Sequence, residues 1–260
     1  MAGTRSDVQL TRRRMAWSRH LDTVPWWLVI VLAAGALVLF SMLSNERYVN
    51  ALSYLIRGVR LTVFISVVSY LVALVLGLIA GLGRVSRNKL INTIATLYVE
   101  VVRGVPLLVI IIYAHYVVAP FLGTNRQPVF SGIMALSFGY GAYLAEVFRA
   151  GIESIERGQG EAARSLGMSY RQSMRYIILP QAIRRVLPPL GNDFVAMLKD
   201  SSLVSAIAIS ELTKLGQIEA ARTFDTFRTY NAVAFLYLTL TLILSLGVRY
   251  LERISSVGRR

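Results

Sequence analysis

The chain has 260 residues, of which 55% are hydrophobic and only 16% charged, and its formal charge is +14. A soluble domain carries about 25% charged residues, so the deficit points to the membrane, and the basic excess fits headgroup contact rather than nucleic acid. Cysteine is absent and the only histidines are His20 and His115, which excludes disulfides, thiol nucleophiles and a multi-histidine metal site.

Apolar stretches of about 20 residues cross a hydrocarbon core about 30 Å thick. Six are expected: Trp26–Leu43, Val59–Leu82, Leu97–Leu122, Val129–Phe148, Val186–Ile209 and Asn231–Val248. No alternating pattern suggests a barrel, so the expected class is an all-α integral membrane domain. The long basic start is followed by no small-x-small cleavage site, and the first stretch reads as an uncleaved anchor. With the N-terminus inside, the cytoplasmic segments hold nineteen Lys and Arg. Five precede Trp26, three lie at Arg84–Lys89, seven at Arg149–Arg185 and four at the C-terminus. The external loops hold six: Arg47, Arg57, Arg126, Lys214, Arg222 and Arg228. That bias sets both termini in the cytoplasm and requires an even number of spans.

The second stretch carries Ala73, Gly77 and Gly81 at spacing four, and the fourth carries Gly139, Gly141, Ala142 and Ala145. Small residues at such spacing let two backbones approach in lipid; the alternative is a flexible helix beside a translocation path. In the third stretch Glu100 and Arg103 lie near the cytoplasmic end, as do Glu146 and Arg149 in the fourth. His115 reads as a packing histidine sooner than a proton relay.

The fifth stretch is unusually polar. It contains Pro188, Pro189, Gly191, Asn192, Asp193, Lys199 and Asp200. Three charges facing lipid would cost roughly 8–10 kcal/mol at about 2.5–3.5 kcal/mol each. The segment must therefore face protein or water, and Pro-Pro-x-Gly suggests an interrupted helix start. Lys199 and Asp200 either pair with buried groups such as Glu100 or Asp193, or line a path for a charged solute.

Between the fourth and fifth stretches, Ala162, Ala163, Leu166, Tyr170, Met174, Ile177 and Ile178 recur every three or four positions. That spacing places them on one helical face. Gly167 allows a turn between two short helices, and Pro180 is expected to stop the second. Such a helix either lies on headgroups or plugs into a partner's groove.

Glu161-Ala162-Ala163, then Gly167, then Ile177-x-Leu179-Pro180 resembles the EAA loop of binding-protein-dependent ABC importer permeases. Leu61-Thr62, Tyr98–Leu108, Gly139–Arg149 and Leu187–Ile207 are similar to the polar amino-acid branch, which imports histidine, arginine, glutamine and glutamate. The resemblance implies a type I importer fold over residues 55–252, with the coupling loop at 150–183. An extra helix lies within 1–54 and a cytoplasmic tail at 253–260. It implies that Glu161, Ala162, Ala163, Gly167, Ile177, Leu179 and Pro180 couple the chain to an ATPase. It also implies two ATPase subunits holding ATP and Mg²⁺, a second permease, an extracytoplasmic binding protein delivering an amino acid, and a bacterial plasma membrane.

The sequence contains no Gly-Lys pair and so no Walker A loop; this chain is expected to hold no cofactor, no metal and no ATPase site. Glu100, Arg103, Glu146, Asp193, Lys199 and Asp200 are the candidates for a substrate path or for buried charge pairs. A competing expectation is an ion- or proton-coupled carrier using Asp193 and Asp200 on a broken helix. It leaves the Glu161–Pro180 spacing unexplained.

Overall fold

The computed structural model describes residues 26–123 and 127–256. The basic start with His20, Arg126, and the tail residues 257–260 lie outside them. No strand occurs among the described residues. The chain divides into two compact units, Met1–Asn50 and Ala51–Arg260.

In the first unit, α1 (Trp26–Leu43) has the bounds that hydropathy gives. Ile30, Leu37 and Phe40 are all exposed. A helix that is apolar all round suits lipid rather than water.

Helix α2 (Glu46–Arg84) is 39 residues long and belongs to the second unit from Ala51 onward. At 1.5 Å per residue this is about 58 Å, far more than the apolar stretch Val59–Leu82 alone predicts. The extra turns persist because Leu55 is buried with Leu212, Ala232 and Val233, and Leu52 and Tyr54 pack beside them. Tertiary packing extends the helix past the point where composition stops arguing for it.

The third apolar stretch is not one helix. It is α3 (Lys89–Arg103) and α4 (Leu107–Phe121), bent by 101° at the break. Gly104 caps α3, and Pro106 takes φ −57°, ψ 136° ahead of α4. Proline has no N–H to continue the ladder and disfavours helix in the residue before it.

Helix α5 (Pro128–Glu153) is 26 residues long, with buried residues from Ser131 to Ile152. The short α6 (Arg157–Ser165) follows, capped at Leu166. Then comes α7: a first turn at Tyr170–Ser173, a π turn at Met174–Ile178 and a long run at Leu179–Asp200. A 3₁₀ segment, Ser201–Ile207, leads to α8 (Leu212–Thr223) and α9 (Thr226–Ser256).

Two expectations for α7 are corrected. Pro180 does not stop a helix; it occupies the first turn of Leu179–Asp200. Pro188 and Pro189 lie inside that helix without breaking it. The π turn explains the first case. Pro180 follows the turn Met174–Ile178 by one residue, as Pro120 follows the turn Ala114–Val118 in α4. A proline clashes with the carbonyl four residues back. In both helices that carbonyl belongs to a π-turn tyrosine, Tyr176 or Tyr116, where the wider turn makes room.

By length and composition α2, α5 and α9 can each cross a membrane, and α3 with α4 can do so as a bent pair. Helices α2 and α5 meet through glycines. A Cβ on Gly77 would lie 2.6 Å from the Leu144 Cβ, and one on Gly81 would lie 2.8 Å from the Phe148 Cβ. Ala73 and Ala145 are fully buried on the facing surfaces. The spacing-four pattern is thus a packing device, as small residues are in lipid.

Gly81→Val should therefore lower the thermal stability of the purified protein by about 1–3 kcal/mol, the cost of overpacking a close contact. Gly35→Val is the control, because a Cβ there meets nothing within 4 Å. Equal melting curves for the two variants would show that the α2–α5 contact does not limit stability.

Candidate functional site

The segment linking α5 to α7 is anchored on one side and free on the other. Ile152 and Ile155 at the end of α5 form a core with Ala182 of α7, and Met174 and Ile178 pack onto it. Arg185 of α7 donates to the Ser154 carbonyl oxygen, and Gln181 donates to Gln159 Oε1 at 3.3 Å. Arg87, from the α2–α3 turn, stacks 4.6 Å from the centre of the Tyr170 ring. The base of α6 is thereby held from three directions.

Beyond this base, α6 turns its other face outward. Ala163 is buried, while Glu161, Ala162 and Arg164 are exposed. Leu166 is 79% exposed at the end of the helix. Gly167 follows with φ +76°, a left-handed conformation that glycine adopts without penalty. The next turn opens on a capping box, in which Ser169 Oγ accepts from Gln172 N and Gln172 Oε1 accepts from Ser169 N. The seven apolar positions therefore do not share one face. The Gly167 turn rotates the second half, so Met174 and Ile178 go inward while Ala162 and Leu166 go outward. A cleft of about 500 Å³ beside α6 is lined by Glu153, Glu156, Glu161, Arg164 and Ile178 among others. Among the motif residues, Ile177 and Leu179 are half-buried and Pro180 is exposed.

The candidate charges separate into two groups. Glu100, Arg103 and Glu146 come together, and Arg84 and Arg149 join them. Glu146 accepts from Arg84 and Arg149, with Arg103 Nη1 at 3.9 Å. Arg84 also reaches Glu100 at 3.3 Å, and Arg149 reaches Glu153. The network ties the ends of α2, α3 and α5. Glu146 is its hub, and Arg84 links it to Glu100; hydropathy reading counts Arg84 only as one more positive charge. Glu100 is thus engaged by Arg84 and partners neither Lys199 nor Asp200.

Asp200 finds a different partner. Tyr140 Oη donates to Asp200 Oδ2 at 2.6 Å, and the buried Tyr70 Oη donates to the Leu190 carbonyl oxygen. Tyr70 also lies against Phe194, with centroids 4.8 Å apart. Both tyrosines bind α7 to the bundle at positions that no charge-pairing argument identifies. Lys199 is exposed and forms no ion pair among the described residues; Asp193 is half-buried. His115 Nδ1 lies 2.7 Å from Ser131 Oγ, which matches a packing role.

Glu211 is fully buried and is not among the expected site residues. It caps α8. Its carboxylate accepts from Lys214 N at 2.8 Å, Thr213 N at 3.0 Å and Tyr237 Oη at 2.8 Å. Thr62 Oγ1 lies 3.4 Å away and accepts from Leu212 N at 3.1 Å. Burial pushes the Glu211 carboxyl above its usual range, and these hydrogen bonds oppose the rise. The site joins α2, α8 and α9. An acidic residue directly before Leu-Thr is its only trace in sequence, as an N-cap.

Two outcomes follow. Glu211→Ala leaves the Thr213 and Lys214 amides without their acceptor, at about 1–3 kcal/mol per group, while the Tyr237 hydroxyl keeps Thr213 Oγ1 at 2.9 Å. The purified protein should lose several degrees of thermal stability, and Glu211→Gln less. In a double-mutant cycle, Tyr140→Phe and Asp200→Asn should couple by about 1 kcal/mol, the scale of polar contacts in membrane bundles. Additive effects in unfolding experiments would show that the 2.6 Å contact contributes nothing.

Residues 73–254 match the family described as binding-protein-dependent transport system inner membrane component. The glutamine transport system permease protein GlnP of Escherichia coli K12 is 38% identical over 204 residues, covering 78% of this chain and 93% of that protein. The probable amino-acid ABC transporter permease protein YckA of Bacillus subtilis is 39% identical over 210 residues, covering 81% and 92%. Among solved structures, an amino acid ABC transporter crystallised with histidines superposes with a TM-score of 0.73 at 38% identity, covering 82% of this chain and 97% of that one. The inward-facing MetNI methionine transporter shares the fold at 20% identity and a TM-score of 0.69, covering 78% and 96%. With an all-helical bundle, an outward-turned helix at the EAA positions and these relatives, the chain belongs to the inner membrane component family of binding-protein-dependent transport systems and is a permease subunit of an ABC importer.

Proposed function

We propose that the chain is the permease of an ATP-driven amino-acid importer, and that α6 is its coupling helix. The observation that carries this reading is the shape of the α6 end. An exposed Leu166 and a left-handed Gly167 project from a base that α5, α7 and the α2–α3 turn hold fixed. A surface helix that only lay on headgroups would bury its apolar face in lipid along its length. Here the apolar residues that face outward are confined to Ala162 and Leu166, a short knob suited to a protein groove.

The remaining parts of the system follow from that role. Two ATPase subunits bind ATP and Mg²⁺, and a second permease completes the path. An extracytoplasmic binding protein delivers the solute. Relatives with 38% and 39% identity are a glutamine permease and a probable amino-acid permease, which supports an amino acid as solute. The Lys and Arg distribution supports six spans in a bacterial plasma membrane, with both termini in the cytoplasm. Within that topology the fifth span is the part of α7 from Val186 together with the 3₁₀ segment Ser201–Ile207, and its exposed Asn192 and Lys199 face the path. The absence of a Gly-Lys pair supports an ATPase on separate chains. An ion-coupled carrier based on Asp193 and Asp200 has no comparable support, because Asp200 is engaged by Tyr140.

The reading is tested by reconstituting the permease with its co-encoded ATPase and binding protein in liposomes. Uptake should require ATP and survive collapse of the proton gradient. Uptake without the ATPase that vanishes with the gradient would overturn it. Gly167→Val places a β-branched residue in a left-handed conformation, at a cost of about 1–2 kcal/mol or more. That variant should keep ATP hydrolysis within about twofold and lose most transport. Normal transport by it would remove α6 from the coupling path.

A further inference from the structure

Arg57 and Arg60 lie one turn apart on α2, toward the end opposite Arg84. With Leu61 and Phe64 they line a cleft of about 310 Å³. Both arginines are exposed, and neither forms an ion pair among the described residues. The Arg57 guanidinium lies 5.9 Å from the centre of the Tyr54 ring. Nearby basic residues are treated differently by the fold. Arg222 is paired with Glu219 at 2.9 Å and Arg228 with Asp225 at 2.7 Å. Two like charges at i and i+3 on one helix face repel, and no carboxylate among the described residues pairs with either.

The same face continues as apolar surface. Phe64, Val67, Leu71, Val75 and Ile79 are all exposed. At 100° per residue, Phe64, Val67, Leu71 and Val75 fall within about 50° of the Arg57–Arg60 direction and Ile79 within about 70°. From Phe64 to Ile79 the stripe is about 22 Å long, which exceeds the ~15 Å depth of one leaflet. An anion-binding pair above a continuous greasy track matches a molecule with a negative head and a long hydrocarbon tail.

We infer that Arg57 and Arg60 hold the phosphate of an anionic phospholipid in the leaflet away from α6, with its acyl chain along α2. Planar guanidiniums bind phosphate through paired N–H donors, and long basic side chains reach headgroups while their stems cover apolar surface. The inference rests on the membrane-spanning reading of α2, but not on ATP coupling or on which solute is carried.

The test uses the complete purified transporter and native mass spectrometry. Phosphatidylglycerol and phosphatidylcholine with matched chains are added in equal amounts. A basic residue at an anionic surface contributes a factor of about five, so two arginines predict a preference of roughly thirtyfold at this position. Arg57→Gln with Arg60→Gln should lose one retained phosphatidylglycerol per permease, and Arg57→Lys with Arg60→Lys should keep most of it. A six-carbon phosphatidylglycerol should be retained less than a sixteen-carbon one if the track holds the chain. Unchanged phosphatidylglycerol retention in the glutamine variant would overturn the inference. Displacement of the lipid by inorganic phosphate or free glutamine would also overturn it, by making the pair a solute or anion site. Loss of the second permease from the glutamine variant would overturn it too, by making the face a subunit contact. A transporter inactive in uptake can still give each of these results, so failure here and failure of the importer reading are distinct.

Discussion

The close approach of α2 and α5 is the contact on which the rest of the bundle depends. Gly77 and Gly81 have no side chain, and each place where one would stand is filled by α5. In lipid there is no hydrophobic drive to bring helices together, so contact area and close packing have to supply it. Once α5 is seated, its side chains fix the other helices in turn. Ser137 donates to the Ser69 carbonyl oxygen of α2. The Phe138 carbonyl accepts from Tyr98 of α3. Tyr140 holds the C-terminal end of α7, and Glu146 gathers the arginines of three helices. One helix thus carries packing, hydrogen bonding and charge neutralisation at successive levels.

The breaks in the other helices are equally ordered. Pro106 turns α3 into α4, and the π turns before Pro120 and Pro180 let prolines sit in continuous helices. Each device removes a backbone donor or makes room for a residue that has none. The polar cluster at Glu211 satisfies the start of α8, whose amides would otherwise be buried without acceptors. Backbone satisfaction and helix direction are solved together.

Much of this was legible in the sequence. The bounds of α1, the glycine pattern of α2, the α6 helix and the Gly167 turn all follow from hydropathy, spacing and turn chemistry. Other features were not legible, for definite reasons. A hydropathy window cannot see that Pro106 splits a stretch with no loss of apolarity on either side. The extension of α2 to Glu46 depends on Leu212 and Ala232, more than 150 positions away. A sequence offers Asp200 only a charge pair or a place on a path, yet a phenol such as Tyr140 is a sufficient donor for one carboxylate. Prolines 188 and 189 suggested a broken helix, but packing on α5 and α9 and the Tyr70 bond to Leu190 keep α7 continuous. Gly191 itself lies against Val248 of α9.

Position along the bundle also separates what is fixed from what is free. At one end, Glu211 is shared by three helices and fully buried. At the other, the Glu146 network locks α2, α3 and α5. Between the second of these and the tip of α6 the links are few: an apolar core of Ile152, Ile155 and Ala182, and the bonds from Arg185 and Gln181. A load applied at Leu166 meets α5 and α7 first, because those two helices alone share backbone with the loop. Of the two, α5 is tied into the charge network. Helix α7 has no ion pair among the described residues; it is held by the packing of Val186, Leu190, Phe194 and Met197 and by the hydroxyls of Tyr70 and Tyr140, and a largely buried 3₁₀ segment follows it. The hydroxyl contacts contribute about 1 kcal/mol each, whereas displacing α5 would break several charge-assisted bonds together. Of the two routes from α6 into the membrane, the one through α5 therefore runs into the charge network, and the one through α7 runs into apolar packing beside the polar groups that composition first marked as unsuited to lipid.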